Sequence, residues 1–168
     1  MLGRAFEGEK GEVRRTGNVY EIVFERRLKQ PVQAVWAALT VPERIACWLA
    51  EAEIDLRVGG RFNLHWPVQD YRMGGVITEL DPPRLIAWTW PHQQHPNSVV
   101  RWELTPDGDG CRLVLTQGGL SGAPLQSVAA GWHTHLEALP AAAEGGRTLW
   151  QAKREREAAK LYADLPSA

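Results

Sequence analysis

The sequence predicts an α+β domain in which a curved antiparallel sheet of six to seven strands packs against a long C-terminal helix. Two observations support this prediction. Short segments of alternating apolar and polar residues, separated by turn residues, dominate the middle of the chain and favour an antiparallel meander over βαβ units. Apolar residues at helical spacing follow, and they predict one amphipathic helix that covers the concave side of a curling sheet.

The predicted domain opens with a strand and two short helices. Apolar side chains alternate with charged ones over residues 19–28, which predicts the strand. Pro31 suits the first turn of a helix because its missing N–H would be unpaired there, and apolar residues recur at helical spacing after it. Thr40 and Glu43 have the spacing of a capping box, which predicts a second short helix through Trp48.

Turn residues separate six further strand-like segments. Paired glycines, paired prolines and an Asp-Gly-rich stretch lie between them and favour tight connections. Gly74 and Gly75 fall inside one segment, where they predict a bulge or a close approach of neighbouring backbone. Apolar residues at helical spacing then predict a helix from Leu125 to about Pro140. The six segments cover residues 54–56, 62–66, 73–80, 84–90, 99–104 and 111–117.

The length of 168 residues is most simply that of one domain with two tails. We expect a flexible N-terminal arm over residues 1–17, because these residues are polar and include four glycines. The domain covers 18–145, and a C-terminal helical extension covers 146–168. Mixed charges in the extension indicate a solvated appendage; docking through Trp150 and Leu161 is the alternative.

Charge, cysteine content and hydrophobicity exclude several classes of protein. The formal net charge is -1, which excludes the strong basic field of a general nucleic-acid binder. Cys47 and Cys111 are too few for a disulfide framework and lack metal-site spacing. The sequence shows no signal-peptide pattern and no apolar run long enough to span a bilayer. We therefore expect a cytoplasmic protein with no nucleic-acid partner and no membrane insertion.

The sequence offers no convergent set of catalytic or metal-ligating residues. His92 and His95 form the closest local pair, but their Pro-flanked loop indicates solvated histidines. His133 and His135 lie two apart on the predicted helix, so they point to different faces, one of them toward the sheet at most. Ser121 lacks the strand–turn–helix setting of a nucleophile elbow. We expect no metal, no cofactor and no assignable catalytic residue.

Four segments resemble one known family. Residues 35–48 (VWAALTVPERIACW) resemble its "vWxALTxPexixxW" segment, and residues 55–62 (DLRVGGRF) its "DxRxGGxF" turn. Residues 75–85 (GVITELDPPRL) resemble its "GxvxevxpPxrL" hairpin, and the pair Gly131-Trp132 its "GW" pair. These segments occur in the family's order within residues 18–140, and the chain therefore resembles the activator of Hsp90 ATPase homologue-like family. That family belongs to the START-like superfamily, also called SRPBCC or birch-pollen-allergen-like.

This resemblance implies a helix-grip fold: a curved sheet around a long C-terminal helix, with an apolar cavity between them. Ligand pockets are mostly apolar with a few polar groups, while large apolar residues in general more often belong simply to the core. Candidate cavity residues are those expected on the concave side, with two histidines as candidate polar groups. They are Phe24, Trp66, Tyr71, Met73, Trp88, Trp102, Leu113, Leu115, Trp132 and Leu136, with His65 and His133.

Three functions are compatible with the resemblance, because one fold hosts many. The first hypothesis is a binding module whose cavity accepts a small apolar or aromatic ligand without catalysis. The second is a polyketide cyclase or dehydratase-type enzyme that uses His65, Tyr71 or His133 as general acid or base. The third is a protein-interaction module related to Hsp90 co-chaperones, although we expect no separate chaperone-contacting domain ahead of the first strand. A homodimer is left open.

Overall fold

The structure is a computed structural model that describes residues 10–92, 95–121, 125–148 and 151–165. In these residues eight strands form one antiparallel sheet in the order β1-β2-β8-β7-β6-β5-β4-β3. The strands are β1 (Glu12–Thr16), β2 (Val19–Leu28), β3 (Glu51–Ile54), β4 (Arg61–Trp66), β5 (Tyr71–Asp81), β6 (Leu85–Thr89), β7 (Val99–Asp107) and β8 (Gly110–Leu120).

The helices lie between and after these strands. They are α1 (Val32–Thr40), α2 (Pro42–Ile45), α3 (Leu125–Ala143) and α4 (Ala152–Ala159), and a 3-10 turn (Lys160–Tyr162) follows α4. The predicted α+β arrangement, with two short helices after the long first predicted strand and a long C-terminal helix against the sheet, is confirmed. Among the described helices, none has the length and apolar character needed to cross a bilayer.

The core fills the space between the inner face of the sheet and α3. Trp102 of β7 and Leu115 of β8 are fully buried, as strand alternation requires of inward positions. Phe62 and Trp88 stack with ring centroids 3.7 Å apart, and Trp132 of α3 meets Trp102 edge to face at 5.5 Å. Burying a side chain of this size contributes roughly 1.5–3 kcal/mol relative to leaving it exposed. These aromatic contacts attach the long helix to the sheet.

The sheet has one strand more than predicted, because β1 lies within the segment expected to be a flexible arm. Val13 of β1 pairs with Ile22 of β2 in an antiparallel register. Four of the five β1 residues are exposed, so this edge strand buries too little apolar surface to leave a period-two pattern. The flexible-arm prediction is therefore wrong for residues 12–16.

The predicted capping box of the second helix is also wrong. Val41 occupies the N-cap of α2 with no side-chain cap, and the Thr40 hydroxyl instead donates to the Trp36 carbonyl at 2.8 Å. The helix ends at Ile45, before the predicted end at Trp48. A hydroxyl late in a helix has the carbonyl four residues earlier within reach, and this bond replaces the cap.

Other local predictions agree with the structure. A Cβ on Gly75 would lie 2.6 Å from the carbonyl oxygen of Thr89, so the predicted close backbone approach is confirmed. The pairing of β5 with β6 also shifts register between Ile77 and Glu79, just beyond this glycine. Helix α3 continues through Pro140 to Ala143, three residues beyond the predicted end.

The C-terminal extension docks onto α3, so its interpretation as a solvated appendage is wrong. The Arg154 guanidinium donates two hydrogen bonds to the Glu137 carboxylate, at 2.8 and 2.7 Å. Ala158 is fully buried against Ala130, and small residues at this position let the two helices approach closely. Leu161 packs against the core as the alternative prediction proposed, whereas Trp150 lies outside the described residues.

Candidate functional site

A cavity of about 450 Å³ lies beside α3, where β4 and β6 end and β5 begins. Four aromatic side chains form much of its wall: Trp66 of β4, Tyr71 of β5, Trp90 just after β6, and Trp132 of α3. Pockets of this volume accept small organic molecules. The other lining residues are Leu49, Gln69, His92, His95, Gln117, Ser127, Val128, Gly131, His135 and Glu155.

The aromatic rings form a continuous series from the rim into the core. Trp66 contacts Tyr71 at 5.5 Å and Trp90 at 5.9 Å between ring centroids. Trp90 meets Trp132 edge to face at 5.0 Å, and Trp132 continues to Trp102. Centroid separations of 4.5–7 Å are those at which offset and edge-to-face pairs attract. The series therefore presents a firm aromatic surface to whatever enters the cavity.

Buried hydrogen bonds fix the orientation of the Trp132 indole. Its Nε1–H donates to Oε1 of Gln117, and Nε2 of Gln117 donates to the Ser98 hydroxyl at 2.9 Å. Gln117 and Ser98 are 2% and 0% exposed, so both depend on these protein partners. Because the indole N–H points toward β8, the cavity meets the carbon surface of the ring.

Two histidines of the cavity wall are neutral imidazoles at neutral pH. Burial lowers the pKa of His95, and the neighbouring His92 ring, stacked at 4.7 Å, lowers it further. Burial also lowers the pKa of His135, against the opposing effect of its hydrogen bond to the Trp48 carbonyl. That carbonyl only accepts, so Nδ1 of His135 donates at 3.1 Å and carries the proton.

The predicted solvated setting of the His92 and His95 pair is wrong for His95. That ring is 5% exposed, and its Nδ1 has no hydrogen-bond partner among the residues that the structure describes. The prediction that His133 and His135 point to different faces of the helix, one toward the sheet and one toward solvent, holds only in part. His135 lines the cavity, but His133 is buried and does not face solvent. Within the described ranges, no three His, Cys, Asp or Glu side chains converge closely enough to hold a metal ion.

Three of the twelve predicted cavity residues line this cavity: Trp66, Tyr71 and Trp132. Seven others are buried members of the hydrophobic core and do not line this cavity. Inward orientation alone does not distinguish a cavity wall from a packed core. The seven are Phe24, Met73, Trp88, Trp102, Leu113, Leu115 and Leu136.

The two candidate polar groups, His65 and His133, also lie elsewhere. The His65 ring contacts the Glu51 carboxylate at 3.0 Å across the paired strands β3 and β4, in a separate groove. His133 is fully buried, with Nδ1 2.6 Å from the Tyr162 hydroxyl. Of the three alternative acid or base residues, Tyr71 is therefore the one that lines this cavity.

The lining residues that the sequence analysis missed come from distant parts of the chain. Trp90 ends a predicted strand, and its alternation with Trp88 was a signal that it faces the same side of the sheet. Gln117 and His135 carried no such signal, because a buried polar residue in a strand or helix is identified only by its partners. Glu155 belongs to the extension, whose docking was not expected.

His133 belongs to a buried link between the two ends of the described chain. The Tyr162 hydroxyl accepts a hydrogen bond from the Gly11 N–H at 2.9 Å and also meets Nδ1 of His133. Burial first, and then the positive charges of Arg26 and Arg154, together lower the pKa of His133 to about 4. The histidine is therefore held neutral in the folded protein.

Acidification is expected to destabilise the fold through His133. Its pKa is about 4 when folded, against 6.5 for an ordinary histidine, so between these values the unfolded state binds more protons. Stability is then complete above about pH 6.5 and falls as the pH drops toward about 4. From about pH 7.5 to about pH 5, we expect a loss of about 2 kcal/mol from this residue. Urea unfolding measured at both pH values checks it.

The matched control for this prediction is His133→Gln, which removes the titrating ring. Its unfolding free energy should vary less with pH than that of the wild type. Residual variation in the same direction is expected from His95 and His135, whose pKa values burial also lowers. An equally steep dependence in His133→Gln would contradict the assignment.

The chain is similar in sequence to one protein family and in structure to several solved proteins. A family model described as "Activator of Hsp90 ATPase homolog 1-like protein" matches residues 29–144. The crystal structure of CalU16 from Micromonospora echinospora is 29% identical, with a TM-score of 0.74, and covers 94% of this chain and 96% of its own. A protein from Bordetella parapertussis is 28% identical, with a TM-score of 0.74, and covers 95% of this chain and 92% of its own.

A conserved protein of unknown function from Enterococcus faecalis shares the fold at 20% identity, with a TM-score of 0.75 over 94% of this chain and 92% of its own. Comparison with the curated proteins gives no match. The solved structures cover 94–95% of the chain and so extend beyond the segment matched by the family model. The expected helix-grip fold is confirmed by these likenesses.

Proposed function

The chain belongs to the activator of Hsp90 ATPase homolog 1-like family, and on this premise we propose that it binds a small apolar or aromatic ligand in the cavity beside Trp132. The observation that carries the proposal is the cavity itself, about 450 Å³ in volume and walled by four aromatic side chains. Apolar burial supplies affinity in such a pocket, while a few polar groups orient the ligand. The buried Gln117 hydrogen bond supports this role, because it holds one of these rings in place.

Tryptophan fluorescence provides the test. Three of the four aromatic wall residues are tryptophans, so a bound aromatic compound should change their emission. We expect at least one compound from a panel of lipids, flavonoids and polyketides to bind with a Kd in the low micromolar range, about -8 kcal/mol. The proposal would be overturned if every compound in the panel had a Kd in the high micromolar range or above.

Substitutions at Gly131 test whether the compound that changes the tryptophan fluorescence binds in the cavity. Gly131→Leu places a bulky side chain in the wall, and we expect it to raise the Kd about tenfold, or about 1.4 kcal/mol. Gly131→Ala is the matched control, because its Cβ would meet only the Glu155 carboxylate, at an ordinary 3.6 Å. Equal Kd values for the leucine variant and the wild type would place the bound compound elsewhere.

The two other functions lack an observation of their own. The enzyme hypothesis named His65, Tyr71 or His133 as acid or base; of these, Tyr71 lines the cavity, without a second such group from that set beside it. The chaperone hypothesis predicts a change in Hsp90 ATPase turnover on addition of the protein. An unchanged turnover, together with ligand binding in the fluorescence titration, would favour the binding function.

A further inference from the structure

We propose that the cavity selects ligands that carry a cationic amine beside an aromatic body, and that Glu155 is the residue that selects them. This inference deepens the proposed binding function and depends on it. Among the described residues that line the cavity, Glu155 supplies the one carboxylate, and none is lysine or arginine. The wall therefore combines aromatic rings with a single negative charge.

The Glu155 carboxylate is available to a ligand. Its neighbours on α4 are engaged with others, since Arg154 binds both Glu137 and Glu157. In the described part of the chain, no hydrogen bond or ion pair involves the Glu155 side chain. Its Oε1 lies 3.6 Å from the position of a Cβ on Gly131, so the carboxylate rests against the bare surface of α3. A half-buried carboxylate without a partner gains from a cation that enters beside it.

The aromatic wall favours the same charge. Trp66, Trp90 and Trp132 present rings with negative faces, which attract a cation placed over them. The neutral imidazoles of His95 and His135 do not oppose a positive charge, because burial lowers the pKa of both. A ligand carboxylate would meet repulsion from Glu155 with no cationic side chain in the described wall to offset it. Fatty acids are thereby disfavoured.

The position of Glu155 is fixed by the docking of α4. Two hydrogen bonds join Arg154 to Glu137, and Nε2 of Gln126 donates to the Ala159 carbonyl at 2.9 Å. These contacts tie α4 to α3 on both sides of the carboxylate. They also involve residues beyond the segment 29–144 that matches the family model, so the selection is a property of this extension.

Calorimetric titration with three probes of one shape tests the inference. Tryptamine, tryptophol and indoleacetate share an indole body and differ in a positive, neutral or negative end. We expect the wild type to bind tryptamine about tenfold more tightly than tryptophol and indoleacetate most weakly. Glu155→Gln should remove most of this tenfold preference, leaving only what the aromatic rings contribute, while the Kd for tryptophol stays unchanged.

Asp164→Asn is the matched control, because this exposed carboxylate lies in the same extension and does not line the cavity. It should keep the preference for tryptamine. An undiminished tenfold preference in Glu155→Gln, or equal binding of tryptamine and tryptophol by the wild type, would overturn the inference and leave the proposed function intact. Failure of all three probes to bind the wild type would overturn it as well, whereas the proposed function is decided by the wider panel and the Gly131 variants.

Discussion

Replacement of Trp132 by alanine is expected to lower the free energy of unfolding by about 3–5 kcal/mol, the usual range when a large buried aromatic ring is deleted. The side chain is 4% exposed and meets Trp90 and Trp102 edge to face, at 5.0 and 5.5 Å. Its loss would open a hole between α3 and the sheet and would leave Oε1 of Gln117 without its donor. Chemical denaturation of a confirmed monomer measures the change.

Trp132→Phe separates the two contributions. Phenylalanine keeps an aromatic ring against the sheet but removes the N–H, so we expect a smaller loss of about 1–3 kcal/mol from the unsatisfied Gln117 oxygen. A Trp132→Ala midpoint within error of the wild type would mean that this face of α3 does not hold the sheet.

Tyr162→Ala is expected to cost a similar amount, about 3–5 kcal/mol. The ring is fully buried and packs edge to face against Phe24 and His133, at 6.4 and 5.7 Å. Its hydroxyl bonds to both the Gly11 N–H and His133. Denaturation measures the global loss, and hydrogen exchange of the α4 amides should accelerate with it.

Tyr162→Phe isolates the hydroxyl, and we expect it to cost about 1–3 kcal/mol because the buried Gly11 N–H loses its acceptor. A loss below about 1 kcal/mol in Tyr162→Ala would show that the extension detaches without affecting the sheet. The predicted amine selection should then weaken in Tyr162→Ala, since Glu155 would no longer be held.

The parts of the fold that the sequence predicts are those that bury a regular face. The α3 stripe and the alternation in β7 and β8 arise because one side of each element contacts the core. Strand β1 leaves no such pattern, because an exposed edge strand is held by backbone hydrogen bonds to β2 rather than by apolar burial. The amino-acid sequence carries little information about backbone hydrogen bonds, because almost every residue can form them.

The site was less predictable than the fold for a related reason. Alternation identifies Trp88 and Trp102 as inward, but only the packing of distant elements decides that they fill the core while Trp66 and Trp90 border a void. Glu155 stands in a run of mixed charges. Glu155 differs from its neighbours in having no ion-pair partner in the described chain, because Arg154 pairs with Glu137 on α3. Sequence spacing does not reveal that contact between helices.

The hydrogen bond between Gly11 and Tyr162 joins residues 151 positions apart, so it closes a loop that spans most of the chain. A growing chain presents its N-terminal segments first, so β1 is synthesised long before the tyrosine that anchors it. Closing so long a loop carries an entropic cost that falls once the intervening sheet has formed. The wall that bears Glu155 is thus the part of the cavity that depends on the segment of the described chain synthesised last.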